Sequence, residues 1–234
     1  MTLARSLIRN AHSFRNRALD FLFTPRCVQC QREGSYVCHR CLAKVRRLSG
    51  GYRPASTTTT AGGACITERI AIDGVYAPFA MEGVVREAIH QLKYQGLRAI
   101  APTLAETMAN HLKSQGLLAD ALVPVPLHTR RLRERGYNQA ELLASHIAKA
   151  TGIPMRTDLL ERREYLGPQA RSGSQAERWS HVRDAFSARP AASGLRILLI
   201  DDVCTTGATL NACAIALCDS WAASVIGLTC AREV

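Results

Sequence analysis

The sequence predicts an α/β fold, in which helices cover both faces of a parallel sheet, preceded by a small cysteine-rich module. From about residue 70 onward, short apolar runs alternate with segments of helical periodicity, which is the pattern of a parallel sheet. The chain has 234 residues, of which 47% are hydrophobic, enough for one full domain and a small appendage. Four of its nine cysteines fall between residues 25 and 48.

Four regions are predicted along the chain. They are a basic amphipathic helix (1–24), a cysteine module (25–48), a flexible linker (49–70) and the α/β domain (71–234). Gly, Ser and Thr dominate the linker, which favours flexibility. No uncharged apolar stretch reaches the roughly 18 residues of a membrane span, and the first residues lack the apolar core of a secretory signal. We therefore expect no membrane span and a cytoplasmic protein.

Within the domain, each apolar run is interpreted as a strand and each periodic segment as a helix. Strands are predicted at 71–80, 121–127, 196–201 and 224–229, and helices at 82–94, 97–114, 139–150 and 209–221. The prolines of the run ALVPVPL mark the end of its strand. Residues 161–180 are charged, polar and short of apolar anchors, so we expect a mobile loop or lid there.

Charge is distributed unevenly. Of the net charge of +11, residues 1–54 carry +9, from 11 basic and 2 acidic side chains. A basic arm of this kind suits nucleic acid or phosphate. On composition alone, a solvated basic face is the favoured interpretation over a dedicated DNA-binding or membrane-binding helix.

The cysteine module contains two CxxC pairs, Cys27 with Cys30 and Cys38 with Cys41. Each pair places two thiolates on one tight turn, and four thiolates at this spacing are typical of a structural Zn²⁺ site. Disulfides or redox dithiols are the alternative, which a cytosolic setting disfavours. His39 is expected to be an exposed neighbour. The other five cysteines show no ligand spacing.

The most specific stretch is ILLIDDVCTTGAT, residues 197–209. An apolar strand leads to Asp201 and Asp202, and a loop of small residues then opens directly into a helix. The loop consists of Thr205, Thr206, Gly207, Ala208 and Thr209. Its backbone N–H groups, the helix N-terminus and the Thr hydroxyls suit a phosphate monoester, while the two acids suit a ribose diol or Mg²⁺. An Asp cap on a polar loop is the less favoured alternative. No Walker motif is present.

The stretch LLIDDVCTTGAT resembles the phosphoribosyl pyrophosphate (PRPP) binding motif of the type I phosphoribosyltransferases. Together with the four-cysteine module, it makes the chain resemble the ComF family of zinc-ribbon proteins. Three further segments carry that resemblance: LFTP before the first CxxC, KYQG at 93–96, and VPVPL followed by RERGYNQ at 133–139. Two features depart from the family. Only Cys65 stands where a second cysteine pair often lies, and His181 replaces the usual Asn.

The resemblance implies a type I phosphoribosyltransferase-like fold that binds PRPP with Mg²⁺. Asp201 and Asp202 would be the catalytic acids that hold the ribose hydroxyls, and residues 205–209 would hold the 5′-phosphate. The residues expected to contact or orient the pyrophosphate are Arg133, Arg135, Gly136, Asn138, Gln139 and, more weakly, Lys93. Without the resemblance, this Arg-rich segment would be interpreted as a solvated loop.

Three functions remain open at this stage. The first is transfer of a phosphoribosyl group to an unidentified nitrogen acceptor, in a protein linked to DNA uptake and natural competence. The second is a non-catalytic, PRPP-sensing accessory protein that binds single- or double-stranded DNA through its basic N-terminal module. In the third, the zinc ribbon serves only self-association or packing on the domain.

Overall fold

The computed structural model describes residues 24–56, 58–61, 64–67, 69–163 and 185–234. The helices are α1 (His39–Leu42), α2 (Gly83–Tyr94), α3 (Ala101–Ser114), α4 (Thr129–Arg135), α5 (Gln139–Thr151) and α6 (Ala208–Asp219), with 3-10 turns at Arg98–Ile100 and Pro190–Ala192. The strands are β1 (Thr58–Ala61), β2 (Ala64–Thr67), β3 (Gly74–Tyr76), β4 (Phe79–Ala80), β5 (Ala121–Pro124), β6 (Leu160–Arg162), β7 (Phe186–Ala188), β8 (Arg196–Cys204) and β9 (Ser224–Arg232).

A parallel sheet forms the centre of the domain, in the order β3-β9-β8-β5, and β4 pairs with the end of β9. Successive side chains of a strand point to opposite faces of the sheet. Accordingly, Leu198 and Ile200 of β8 belong to one hydrophobic cluster, whereas Ile197 and Leu199 belong to the other. Both faces of the sheet are therefore buried, as the continuous apolar run of β8 predicts for a parallel sheet.

Helices cover the two faces unequally. The face that carries Leu198 packs against α2, α3 and α5, which contribute Leu92, Met108 and Leu143 to the shared cluster. The opposite face packs against α6 through Leu210 and its neighbours. The predicted fold class, a parallel sheet with helices on both faces and a small four-cysteine module at its N-terminal side, is confirmed.

The cysteine module packs directly on the domain. Cys27, Val37 and Val45 lie in the same buried cluster as Phe79 and Val84. Backbone hydrogen bonds extend this contact, because the N–H of Ala80 donates to the carbonyl of Arg46 at 2.9 Å. The core of the small module is thus continuous with one face of the large domain.

Several local expectations differ from the structure. Residues 129–135, expected to be a loop, form α4. The segment 49–70, expected to be a linker, includes the antiparallel pair β1–β2. Residues 160–162 at the start of the expected lid form β6, which pairs with β7, and most of the remaining lid segment lies outside the described residues. The predicted helix 1–24 also lies outside them, apart from Thr24. Across the described ranges, every helix falls short of the length and apolarity that crossing a membrane requires.

Candidate functional site

The two acids of the motif lie in the second half of β8, towards the carboxyl edge of the sheet. Strand alternation points them to opposite faces, so Asp202 is 5% exposed, whereas Asp201 is half-buried. The Oδ1 atom of Asp201 accepts a hydrogen bond from the backbone N–H of Asp202 at 2.8 Å. The pair therefore has a fixed geometry before any ligand arrives.

Lys93 supplies the positive charge at this edge. It lies in the last turn of α2, and its Nζ atom is 2.8 Å from Oδ1 of Asp202. The Lys93 side chain is itself only 23% exposed. Burial of Ile89 and Leu92 on the same helix fixes the position from which Lys93 reaches the acid. A buried carboxylate needs such a partner.

Asp201 is the acid whose titration is most perturbed. Burial raises its pKa to about 7, and the neighbouring charge of Asp202 adds to the increase. The N–H of Asp202 and the ammonium of Lys93 oppose the shift without cancelling it. A raised carboxyl pKa beside a neighbouring charge is typical of functional sites.

The predicted phosphate loop, 205–209, begins directly after β8, and its last two residues form the start of α6. Gly207 has φ +83°, a left-handed conformation that glycine adopts without strain, and it is the residue before α6. The hydroxyl oxygen of Thr206 accepts a hydrogen bond from the N–H of Ala208 at 3.3 Å. Thr205 and Thr209 are exposed. The loop thus presents hydroxyls beside the positive end of a helix dipole, which suits an anion.

A segment that joins the cysteine module to the domain crosses this loop. A Cβ at Gly207 would lie 2.7 Å from Cγ of Pro54. Tyr52 holds the segment in place, because its backbone exchanges two hydrogen bonds with Val75 and its ring lies 4.5 Å from Cζ of Arg232. Neither Pro54 nor Arg232 was predicted to lie near this loop; the proline beside the Ser/Thr-rich run was the available signal.

The residues predicted to contact pyrophosphate surround the end of α4. Arg133 is exposed, and Arg135 is half-buried with its Cζ 5.5 Å from the ring centroid of Tyr94. Gly136 ends the helix at φ +77°. Its carbonyl accepts a hydrogen bond from Nη2 of Arg98 at 3.3 Å.

Asn138 and Gln139 begin α5, and the structure gives them different surroundings. The side-chain oxygen of Asn138 caps α5 by accepting from the N–H of Ala140, and its Nδ2 donates to the carbonyl of Val125, both at 3.0 Å. Gln139 is 2% exposed, and its Nε2 finds no hydrogen-bond partner among the described residues. A buried amide donor without a partner is energetically costly.

The structure thus joins some of the predicted residues by direct contact and others through neighbours. Lys93 and Asp202 form an ion pair, and the loop at 205–209 follows the acids along the chain. The turn at Gly136 is connected to the end of α2 by the hydroxyl of Tyr137, which donates to the carbonyl of Leu92. The Lys93–Asp202 contact was not predicted, because only the tertiary fold brings them together.

The four motif cysteines form one cluster. The Sγ atoms of Cys27, Cys30, Cys38 and Cys41 all lie within 4.8 Å of one another. The sulfurs of Cys30 and Cys38 are 3.6 Å apart, close to the spacing of about 3.8 Å that a tetrahedron with Zn–S bonds of about 2.3 Å requires. A disulfide would need about 2.05 Å. The cluster therefore fits a tetrahedral metal such as zinc.

The electrostatics of the cluster agree with that chemistry. Burial alone would raise the pKa of Cys27, but the backbone N–H groups of Cys30, Cys38 and Gln29 outweigh it and lower the pKa to about 6. Burial raises the pKa of Cys41 to about 12, and hydrogen bonds from the other thiols add to the shift. Cys27 thus ionises easily, whereas burial and the charge of Cys27 both disfavour a second thiolate at Cys41. A divalent cation would relieve the repulsion between the two thiolates.

Comparison with known proteins gives three informative relatives. No family model matches the chain. The chain is 34% identical to competence protein F of Haemophilus influenzae over 53% of its own length and 57% of that protein. It is 32% identical to DNA utilization protein YhgH of Salmonella typhi, over 58% and 62% of the two chains. It is 26% identical to competence protein ComFC of Bacillus subtilis over 84% of each. The chain thus spans about three fifths of the first two relatives.

Two solved structures show partial similarity. Glutamine PRPP amidotransferase from B. subtilis has a TM-score of 0.39 and 25% identity, over 54% of this chain and 25% of that one. The protein TT1426 from Thermus thermophilus has a TM-score of 0.33 and 18% identity, over 54% and 71% of the two chains.

Proposed function

We propose that the chain belongs to the ComF family, which its partial similarity to competence protein F and ComFC supports, and that its α/β domain binds PRPP at the carboxyl edge of the sheet. Asp201 and Asp202 accept hydrogen bonds from the two ribose hydroxyls, and the loop at 205–209 holds the 5′-phosphate.

One observation carries the proposal. An acid pair, whose buried member Asp202 is paired with Lys93, is followed by a loop whose Gly207 turns at φ +83° into the N-terminus of α6. Carboxylates bind a sugar diol and helix N-termini bind phosphate. A helix cap would need one acid at the helix start, whereas both acids here lie inside β8.

The proposed reaction is phosphoribosyl transfer to a nitrogen nucleophile. The bond from C1 of the ribose to the pyrophosphate oxygen breaks, a C1–N bond forms, and the nitrogen loses its proton to solvent. Positive charge develops on the ring, which a nearby carboxylate stabilises. Mg²⁺ bound with PRPP would supply positive charge to the leaving pyrophosphate. Arg133, Arg135 and Gly136 contact the pyrophosphate, and Asn138 and Gln139 orient it.

We further propose that Cys27, Cys30, Cys38 and Cys41 hold a structural Zn²⁺. All four positions are protein thiols, so the site is closed to substrate, as structural zinc sites are. Because Cys27 and Val45 share a buried cluster with Phe79 and Val84, the ion would also stabilise one face of the large domain.

Release of pyrophosphate tests the transfer reaction. The wild-type protein is incubated with PRPP, Mg²⁺ and a panel of nucleobases and amines. We expect release with at least one acceptor, and its loss in the double variant Asp201→Asn/Asp202→Asn. Asp219→Asn is the matched control, because Asp219 lies at the far end of α6, in an exposed ion pair with Arg69. No release with any acceptor would contradict the transfer reaction.

A second candidate, in which the protein is a DNA-binding accessory that senses PRPP, is favoured by the +9 charge of residues 1–54 and by relatives named for competence and DNA utilization. Binding to a labelled oligonucleotide should weaken steeply with salt, because counterions are released. Changing Arg5, Arg9, Arg15 and Arg17 to Gln should reduce DNA binding while leaving PRPP binding unchanged. Equal DNA affinity in that variant would refute the basic-arm hypothesis.

A further inference from the structure

Arg98 connects two parts of the proposed PRPP site without belonging to either. Its Nη2 donates to the carbonyl of Gly136 at 3.3 Å. Its Cζ atom lies 4.2 Å from the ring centroid of Tyr137, within the range of a favourable cation–π contact. The guanidinium of Arg98 therefore contacts both Gly136, which ends α4, and Tyr137, the residue after it.

Tyr137 continues this connection to α2. Its hydroxyl donates to the carbonyl of Leu92, the residue before Lys93. Burial raises the pKa of Tyr137, which keeps its hydroxyl protonated as a donor. The Lys93 side chain in turn pairs with Asp202. A continuous set of contacts thus runs from Gly136 through Tyr137 to the acid pair.

The position of α4 depends on these contacts to an unusual degree. None of its residues is buried, so packing in the core does not fix the helix. Its last residue, Arg135, lies against Tyr94 of α2. The described contacts that hold the end of α4 are therefore directed to α2 and to Arg98, which begins the 3-10 turn that follows.

We propose that Arg98 is a positioning residue for the pyrophosphate group of PRPP. It fixes the turn at Gly136 and holds it, through Tyr137, in register with Lys93 and the acid pair. The inference rests on the proposed function and adds a residue to it. We expect Arg98 to position only the residues that bind pyrophosphate, because the residues that bind ribose 5-phosphate lie on β8 and at the start of α6.

The test compares two fragments of PRPP by calorimetry, magnesium pyrophosphate and ribose 5-phosphate. In Arg98→Ala, pyrophosphate binding should weaken about 10-fold, the effect of one lost charged hydrogen bond, and ribose 5-phosphate binding less than 2-fold. Arg98→Lys should not restore the wild-type affinity, because a lysine lacks the planar fork that stacks and donates together. Tyr137→Phe should weaken pyrophosphate about 3-fold. Arg86→Ala, an exposed arginine on α2, is the control and should change neither.

The outcomes separate the inference from the proposed function. If Arg98→Ala lost affinity equally for both fragments, or lost it for neither, the positioning role of Arg98 would be overturned. If the wild type binds neither fragment, or if Asp201→Asn/Asp202→Asn leaves ribose 5-phosphate binding intact, the proposed PRPP site itself is wrong and the inference falls with it. Thermal unfolding of each variant, expected within a few degrees of wild type, shows that the losses are not caused by unfolding.

Discussion

The cysteine cluster and the acid edge both concentrate negative charge in a small volume, and they stabilise it differently. The cluster is formed by two turns and the short helix α1, with Cys27, Cys38 and Cys41 buried. The acid edge is formed by the central strand β8, and Lys93 offsets its charge from within the chain. The cysteine cluster thus fits an external cation, whereas the acid edge has the positive charge of Lys93.

This difference assigns the two regions different tasks. A site that depends on a bound ion for its charge balance gains folding energy from that ion. A site that a parallel sheet holds in place is already organised when a ligand arrives, which reduces the free-energy cost of binding. The first arrangement suits structure and the second suits recognition or catalysis.

The largest expected effect is on the cysteine cluster. In Cys41→Ser, or in wild type treated with a chelator, we expect loss of zinc and a fall in Tm of more than ~10 °C, because the ion supplies much of the module's folding energy. Metal content and circular dichroism on heating measure both effects. Cys218→Ser, at a half-buried cysteine outside the cluster, should keep its metal. An unchanged Tm after complete chelation would contradict the structural role.

A second effect concerns pH at the acid edge. The pKa of Asp201 is raised to about 7 in the folded protein, from an ordinary value near 3.8. Between these values the folded state binds more protons than the unfolded state, so the free energy of unfolding decreases as pH rises. The slope due to Asp201 is at most about 1.4 kcal/mol per pH unit. Denaturant unfolding of wild type and Asp201→Asn from pH 4 to 7 measures it. Parallel curves would show that Asp201 titrates normally.

The smallest effect tests the contact between Pro54, in the segment that follows the cysteine module, and Gly207, in the loop that follows the acids. Gly207→Ala combines the strain of φ +83° with a clash against Pro54 at 2.7 Å, and should destabilise the fold by about 2 kcal/mol. Gly194→Ala is the matched control, because its φ is +73° and no heavy atom lies within 4 Å. Gly194→Ala introduces the backbone strain without a clash, so it should destabilise the fold by about 1 kcal/mol less than Gly207→Ala does. Adding Pro54→Ala should recover the difference; equal losses in both glycine variants would argue against the clash.

Local sequence patterns predicted the features that are formed by residues close together in the sequence. The CxxC spacing predicted the cysteine cluster, because four thiols on two turns have few ways to meet. The continuous apolar run of β8 predicted a strand buried on both faces, and Gly207 after two acids predicted the turn into α6. Strand β8 extends three residues beyond its predicted end, to Cys204, because β9 pairs with it there.

Contacts between distant segments could not be predicted from such patterns. Lys93 and Asp202 are more than 100 residues apart, as are Pro54 and Gly207, and no local spacing relates them. The Arg-rich segment that forms α4 was expected to be a loop. Arg98 donates to the carbonyl of Gly136 at its end, and the next residue, Tyr137, donates to the carbonyl of Leu92. The residues that position the site could be identified only in the tertiary structure, whereas the residues of the motif could be identified in the sequence.

The most direct test of the PRPP site is a calorimetric titration of the 234-residue chain with magnesium PRPP. Wild type and Asp201→Asn/Asp202→Asn are compared at neutral pH, with thermal unfolding to verify that both are folded. We expect binding to wild type and at least ~100-fold weaker binding to the double variant, because two charge-assisted hydrogen bonds to the ribose are lost. Equal affinity in the two proteins, or no binding to wild type, would contradict the assignment of PRPP to this edge of the sheet.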